Sequence, residues 1–184
     1  MTDADNSQVN FPGILIAGIG NYYRADDGVG PRVADAVADI TGIKNIGPIS
    51  EPLDLIGKFD NAKLAILVDA MRSSSPPGTI KIFDMNVAEV RTQTTSTHGI
   101  NLERTISLAA ALGKAPEKAI VVGIEGKLFG DGDKLSPEVA DAVVDAVKMI
   151  DQIVLSELKQ CDTACLNIIR YKDISNKYYA FYGK

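Results

Sequence analysis

Apolar positions along this chain follow two patterns, and their alternation sets the architecture. The runs "GILIAGIG" (13–20), "KLAILVDAM" (63–71) and "KAIVVGIEG" (118–126) are short and continuously apolar, the signature of strands buried on both faces of a parallel sheet. Helical spacing replaces continuity in "DDGVGPRVADAVADI", with Val29, Val33, Val37 and Ile40 on one face. It recurs in "INLERTISLAAALG" (100–113), stopped by Gly113, and in the stretch from Ser136 to Leu158. That last helix has Ser136 at the N-cap, Pro137 at its first position, and Val139, Val143, Val147, Ile150 and Val154 on its apolar stripe.

"GTIKIFDM" (78–85) alternates as an edge strand after the turn signal "SSSPPG". The loop before it is too short for a helical crossover, so this strand is expected to be antiparallel. A short strand near 46–50 and a turn of helix near 53–57 complete the pattern. Strands alternating with helices predict a three-layer α/β/α sandwich around a twisted, mostly parallel sheet of about five strands.

Length agrees with one domain: 184 residues bury roughly 70% of the surface of the unfolded chain. The expected division is a polar N-terminal lead over 1–12, a single domain over 13–158, and a tail over 159–184 rich in Tyr and Lys. A net charge of −5 argues against nucleic acid or anionic lipid as the main partner. The first ten residues lack a basic region and an apolar core, and no apolar run approaches the ~20 residues needed to span a bilayer. A cytoplasmic location is therefore expected. Cys161 and Cys165, with no second histidine in the chain to help them, form a weak metal pattern and suit a reducing compartment.

"GIGNYYRADDGVG" (18–30) raises the question of chemistry. A dinucleotide cradle needs a small residue at the third position of G-x-G-x-x-G, where this chain has Tyr23 after Gly18 and Gly20. Two aspartates at the helix start also place negative charge where a phosphate would sit. The competing reading gathers Asp27, after the first strand, Asp69, at the end of "AILVDA", and His98, the one histidine, just before a helix. Two carboxylates and an imidazole form a mixed N/O set suited to Zn²⁺, Ni²⁺ or Mn²⁺. Taken singly, Asp26 and Asp27 equally suit helix caps, and Asp69 and His98 suit ordinary loop and strand-end roles.

In order and spacing, "GIGNYYRADDGVGPRV", "ILVDA", "STHGINL" and "VVGIEG" with "LSPEVADAV" resemble the hydrogenase maturation endopeptidases, the nickel-dependent peptidases that process [NiFe]-hydrogenase large subunits. The likeness runs over roughly residues 13–158 and implies an α/β sandwich. It also implies an aspartic-type endopeptidase whose metal, nickel belonging to the substrate, is held by Asp27, Asp69 and His98. Many members have glutamate where Asp27 stands, and others share the aspartate. The implied activity is removal of a C-terminal extension from the large-subunit precursor after nickel insertion, with the precursor as partner, no nucleotide, and a monomeric enzyme. Asp27 is the candidate proton acceptor, although a metal-bound carboxylate is a poor base, and the three residues alternatively only grip the nickel. A checkpoint that binds the loaded precursor without cutting, and a nucleotide-binding α/β oxidoreductase, are the competing functions. Tyr22, Tyr23 and the loop from Arg91 to Thr97 are the expected docking rim, tyrosine combining a large ring with a polar tip.

Overall fold

The computed structural model describes residues 11, 13–59, 62–85 and 99–159, without the side chains of 99–101. His98, the loop 91–97, both cysteines, the lead before 11 and the tail from 160 lie outside the described residues. The elements in chain order are β1 (Ile14–Gly18), α1 (Val29–Thr41), β2 (Lys44–Asn45), β3 (Leu64–Met71), β4 (Ile80–Met85), α2 (Gly99–Ala111), β5 (Lys118–Glu125) and α3 (Pro137–Lys159). Short 3-10 turns occupy Ala25–Gly28 and Pro52–Leu55.

The described strands form one sheet in the order β2-β1-β3-β5-β4. Every neighbouring pair is parallel except β4 with β5. The edge strand is thus antiparallel as its short preceding loop required, but it pairs with β5, which follows it in the chain, and leaves β3 for a parallel pairing with β5. The strand expected near 46–50 is displaced: the ladder ends at Asn45. Pro48 has no N–H to give a ladder, and Ile49 keeps a single parallel pairing with Ile19.

Period-two alternation explains why the central strands read as unbroken apolar runs, since each face of the sheet is covered. Ile14 and Ile16 of β1, Ile66 and Val68 of β3, and Val122 and Ile124 of β5 pack with Val33 and Val37 of α1 and Val147, Ile150 and Val154 of α3. The intervening residues Leu15, Ala17, Ala65, Leu67 and Val121 face Leu102, Ile106 and Ala109 of α2, together with Leu55 and Phe59. α1 stops where Gly42 takes a left-handed conformation (φ 72°), a backbone state that costs a residue with a Cβ.

Candidate active site

The topology creates one place where loops diverge. The β1-to-β2 crossover runs through α1 on one face of the sheet, and the return to β5 runs through α2 on the other. Between β1 and β3 the connections therefore leave in opposite directions, and a crevice at such a switch point is where open α/β sheets bind ligands. The turn carrying Asp26 and Asp27 follows β1 at this crevice, and Asp69 lies near the carboxyl end of β3. Asp69 shares the α2 face with Ala65 and Leu67, and its register partner on β5 is Gly123.

Adjacent in sequence, Asp26 and Asp27 part company in the fold. Asp26 is fully buried. Its carboxylate accepts the N–H groups of Lys127 (2.8 Å), Leu128 (2.8 Å) and Ser136 (2.6 Å) and the Ser136 hydroxyl (2.9 Å). Burial raises its pKa, but these four bonds to the charged form outweigh burial and hold it below the ordinary carboxylate value. Asp26 is a strut between the loop after β1 and the loop after β5, and neither it nor Asp27 caps α1, whose N-terminus has no side-chain cap. Ser136 keeps its N-cap position, with its hydroxyl donated to Asp26.

Asp27 turns the other way and stays half-buried. Its Oδ2 accepts the N–H of Asn21 at 2.9 Å, while the Asn21 side chain accepts the N–H of Tyr23 at 2.9 Å. Between these residues Ala25 is held at φ 50°, a left-handed conformation costing a non-glycine residue about 1–2 kcal/mol. The N–H of Ala25 to the carbonyl of Gly132 (2.7 Å) and that of Asp26 to the carbonyl of Leu128 (3.0 Å) fasten it there.

Asp69 keeps part of its surface open, yet it stands amid dense protein. Burial raises its pKa to about 7, the Ala70 N–H opposes the rise, and the negative charge of Asp27 adds to it. The last contribution puts Asp27 and Asp69 within electrostatic range of each other. Two close carboxylates that repel each other are relieved by a proton or by a cation. Among the described residues no group of three or more His, Cys, Asp or Glu side chains is placed to hold a metal ion. The described part of the site is this carboxylate pair. The third expected ligand, His98, lies outside the described residues, immediately before α2, whose body covers the face on which Asp69 stands.

The glycines of the opening block serve close packing. A Cβ on Gly20, at φ 121°, would lie 2.0 Å from the carbonyl oxygen of Asp27, and one on Gly18 would lie 2.3 Å from the backbone of Pro31. A Cβ on Gly30 would meet the carbonyls of Ile19 and Val68, each at 2.4 Å. The first turn of α1 thus sits directly on the ends of β1 and β3. The two tyrosines also separate: Tyr22 donates its hydroxyl to Asp35 at 2.5 Å, and burial with this bond pushes it up to about 12. Tyr23 is 74% exposed.

Sequence reasoning missed Lys127, Leu128 and Ser136 as partners of Asp26, because backbone donors leave no residue-type signal. It also missed Glu125, which is buried and accepts the N–H (2.6 Å) and hydroxyl (2.7 Å) of Ser73, pinning the loop after β3.

Fold and rim together define a class: a three-layer α/β protein presenting paired carboxylates at the switch point of its sheet. The sequence profile of HycI, the hydrogenase maturation protease family, matches residues 50–153, more than half of the chain. The chain belongs to the hydrogenase maturation protease family. It is 27% identical over 145 residues to the hydrogenase expression/formation protein HupD of Thiocapsa roseopersicina, covering 75% of this chain and 66% of that one. Against the hydrogenase 2 maturation protease of Escherichia coli K12 it is 27% identical over 145 residues, covering 74% and 87%. The fold matches the hydrogenase maturating endopeptidase HybD from E. coli with a TM-score of 0.63 at 23% identity, over 80% of this chain and 92% of that one. HybD from Thermococcus kodakarensis matches equally, with a TM-score of 0.63 at 23% identity over 76% and 97%.

Proposed function

We propose that this protein is the endopeptidase that removes a C-terminal extension from the nickel-loaded precursor of a [NiFe]-hydrogenase large subunit. One observation supports the reading: in a chain of this family, the turn carrying Asp27 and the strand end carrying Asp69 flank the switch point of the sheet, with the two carboxylates within electrostatic range. The donor chemistry suits a borderline divalent cation. In this reading Asp27, Asp69 and His98 hold the nickel that arrives with the substrate. When bound, that cation polarises the scissile carbonyl or acidifies a water. A cation held there would compete with the proton that burial favours on Asp69, so its affinity would depend on pH. Asp27, oriented by the Asn21 N–H, is in this reading the candidate proton acceptor when it is not itself bound to the metal. The site is expected to operate in the cytoplasm, on a protein partner, with the protein as a monomer.

The test is to incubate nickel-loaded precursor with the purified protein and weigh the products by mass spectrometry. Shortening of the wild-type reaction product, lost in Asp27→Ala, Asp69→Ala and His98→Ala, is the expected result. A precursor that binds but keeps its full mass makes the protein a non-cleaving checkpoint and sinks the peptidase reading. Full activity in all three variants puts the chemistry elsewhere.

A further inference from the structure

Asp69 sits in a strand and Asp27 does not, so the two carboxylates are held by different means. β3 is laddered to β5 up to Met71, with Gly123 opposite Asp69. Asp27 lies in the 3-10 turn Ala25–Gly28. Its carboxylate accepts the Asn21 N–H (2.9 Å) and its own N–H goes to the Arg24 carbonyl (3.2 Å), both within the loop after β1. Those bonds shape the loop without placing it on the sheet.

Placement comes from the neighbouring residue. The Asp26 carboxylate reaches across to the loop after β5, taking the N–H groups of Lys127 and Leu128 and both donors of Ser136. Its own N–H goes to the Leu128 carbonyl (3.0 Å), while Ala25 donates to Gly132 (2.7 Å) and Gly132 to Tyr23 (2.9 Å). Gly126 lets the two segments touch, since a Cβ there would lie 3.3 Å from the Asp26 Cβ. The loop so gripped is tied in turn to the end of β3. Gly126 donates its N–H to the Met71 carbonyl (2.9 Å), and the buried Glu125 carboxylate holds Ser73 at 2.6 and 2.7 Å. A continuous path therefore runs from Asp27 through Asp26 and the loop after β5 to the end of β3, where Asp69 stands.

We infer that Asp26 is a positioning residue for the peptidase chemistry: it sets where Asp27 stands relative to Asp69. This rests on the peptidase reading above and adds to it a residue that touches neither substrate nor cation. A cation shared by two carboxylates binds well only where their separation suits it, and loss of a group that orients ligands costs about ten- to a hundredfold in metal affinity or activity.

The experiment compares wild type with Asp26→Asn, Ser136→Ala, Ser136→Thr and Ile150→Val, the last a core change well along α3 that lowers stability only. Measured under conditions where each protein is folded are nickel chloride affinity by calorimetry without precursor, and kcat/KM on the nickel-loaded precursor. Urea unfolding gives the stability of each. Asp26→Asn is expected to lower nickel affinity and kcat/KM about tenfold. Ser136→Ala, which removes one of the four donors, should lower both about threefold. Ser136→Thr keeps the hydroxyl and should match wild type, as should Ile150→Val despite its lost stability. If Asp26→Asn does not fold, the two Ser136 variants decide alone. Wild-type nickel affinity and kcat/KM in the folded variants, or an equal loss in Ile150→Val, overturn the inference and leave Asp26 a strut only. If the wild type shortens no precursor, the peptidase reading fails on its own, and nickel affinity decides the positioning role by the same comparison.

Discussion

At the inner end of the site loop, the Asp26 carboxylate is closed off from water and receives four hydrogen bonds. At its mouth Asp69 is disfavoured as an anion by burial, and the charge of Asp27, within electrostatic range, adds to the effect. The same functional group is a stabilising charge in one region and a destabilising one in the other. What differs is the supply of donors: Asp26 has four that outweigh its burial, whereas at Asp69 burial prevails over the Ala70 N–H and the charge of Asp27 adds to it. A buried anion with enough donors welds loops together, and a buried anion with too few favours its protonated form.

The comparison is broken most forcefully at Asp26. Asp26→Ala would leave three buried N–H groups and a hydroxyl unsatisfied, with an expected loss of about 3 kcal/mol or more in urea unfolding. An Asp26→Ala protein of wild-type stability would mean the strut is ornamental. Next comes Asp69→Asn, expected to abolish precursor shortening while stabilising the fold at pH 8 by about 1 kcal/mol, because it removes a charge the fold disfavours. Paired cleavage and unfolding measurements check both halves.

The pH dependence sharpens the contrast further. Asp69 titrates at about 7 in the folded protein, above its unfolded value. Between those values the unfolded chain has released a proton that the native state retains. The contribution of Asp69 to stability is therefore fully present below the ordinary carboxylate pKa, and it is lost as pH rises toward about 7. Asp26, held low, behaves oppositely: its contribution is present above the ordinary carboxylate range and disappears on acidification below it. Unfolding curves of wild type and Asp69→Asn should converge near pH 4 and separate by pH 8. Nickel affinity should weaken as pH falls below about 7, where protons compete for Asp69. The smallest effect is expected for Asp27→Asn, which keeps an oxygen for the Asn21 N–H. Stability should change by about 0.5 kcal/mol or less, while the titration of Asp69, followed by NMR, moves down from about 7.

Much of the architecture was legible because hydrophobic period reports burial directly. The three continuous runs became β1, β3 and β5, and the apolar stripes became α1, α2 and α3. Pairing partners were less legible: nothing local tells β4 to pass over β3 and join β5, since that choice is made by the whole sheet. At the site, the residue types of Asp27 and Asp69 and their positions after β1 and at the end of β3 made them candidates for a shared role. The family resemblance singled out Asp27, but the strut role of Asp26 was not legible along the chain, because its donors are backbone groups of a distant loop.

By itself, the sequence determined the layer order, the family likeness and the chemistry available at the carboxyl edge of the sheet, because each depends on residue type and spacing. Only the tertiary structure decided which aspartate is a strut and which faces the crevice. It also decided that the glycines serve close helix packing, and that the loop after β5 is tied to the turn after β1. Those outcomes depend on which way a side chain turns and which backbone donors meet it, and both are set by contacts between segments about a hundred residues apart, such as Asp26 with Leu128.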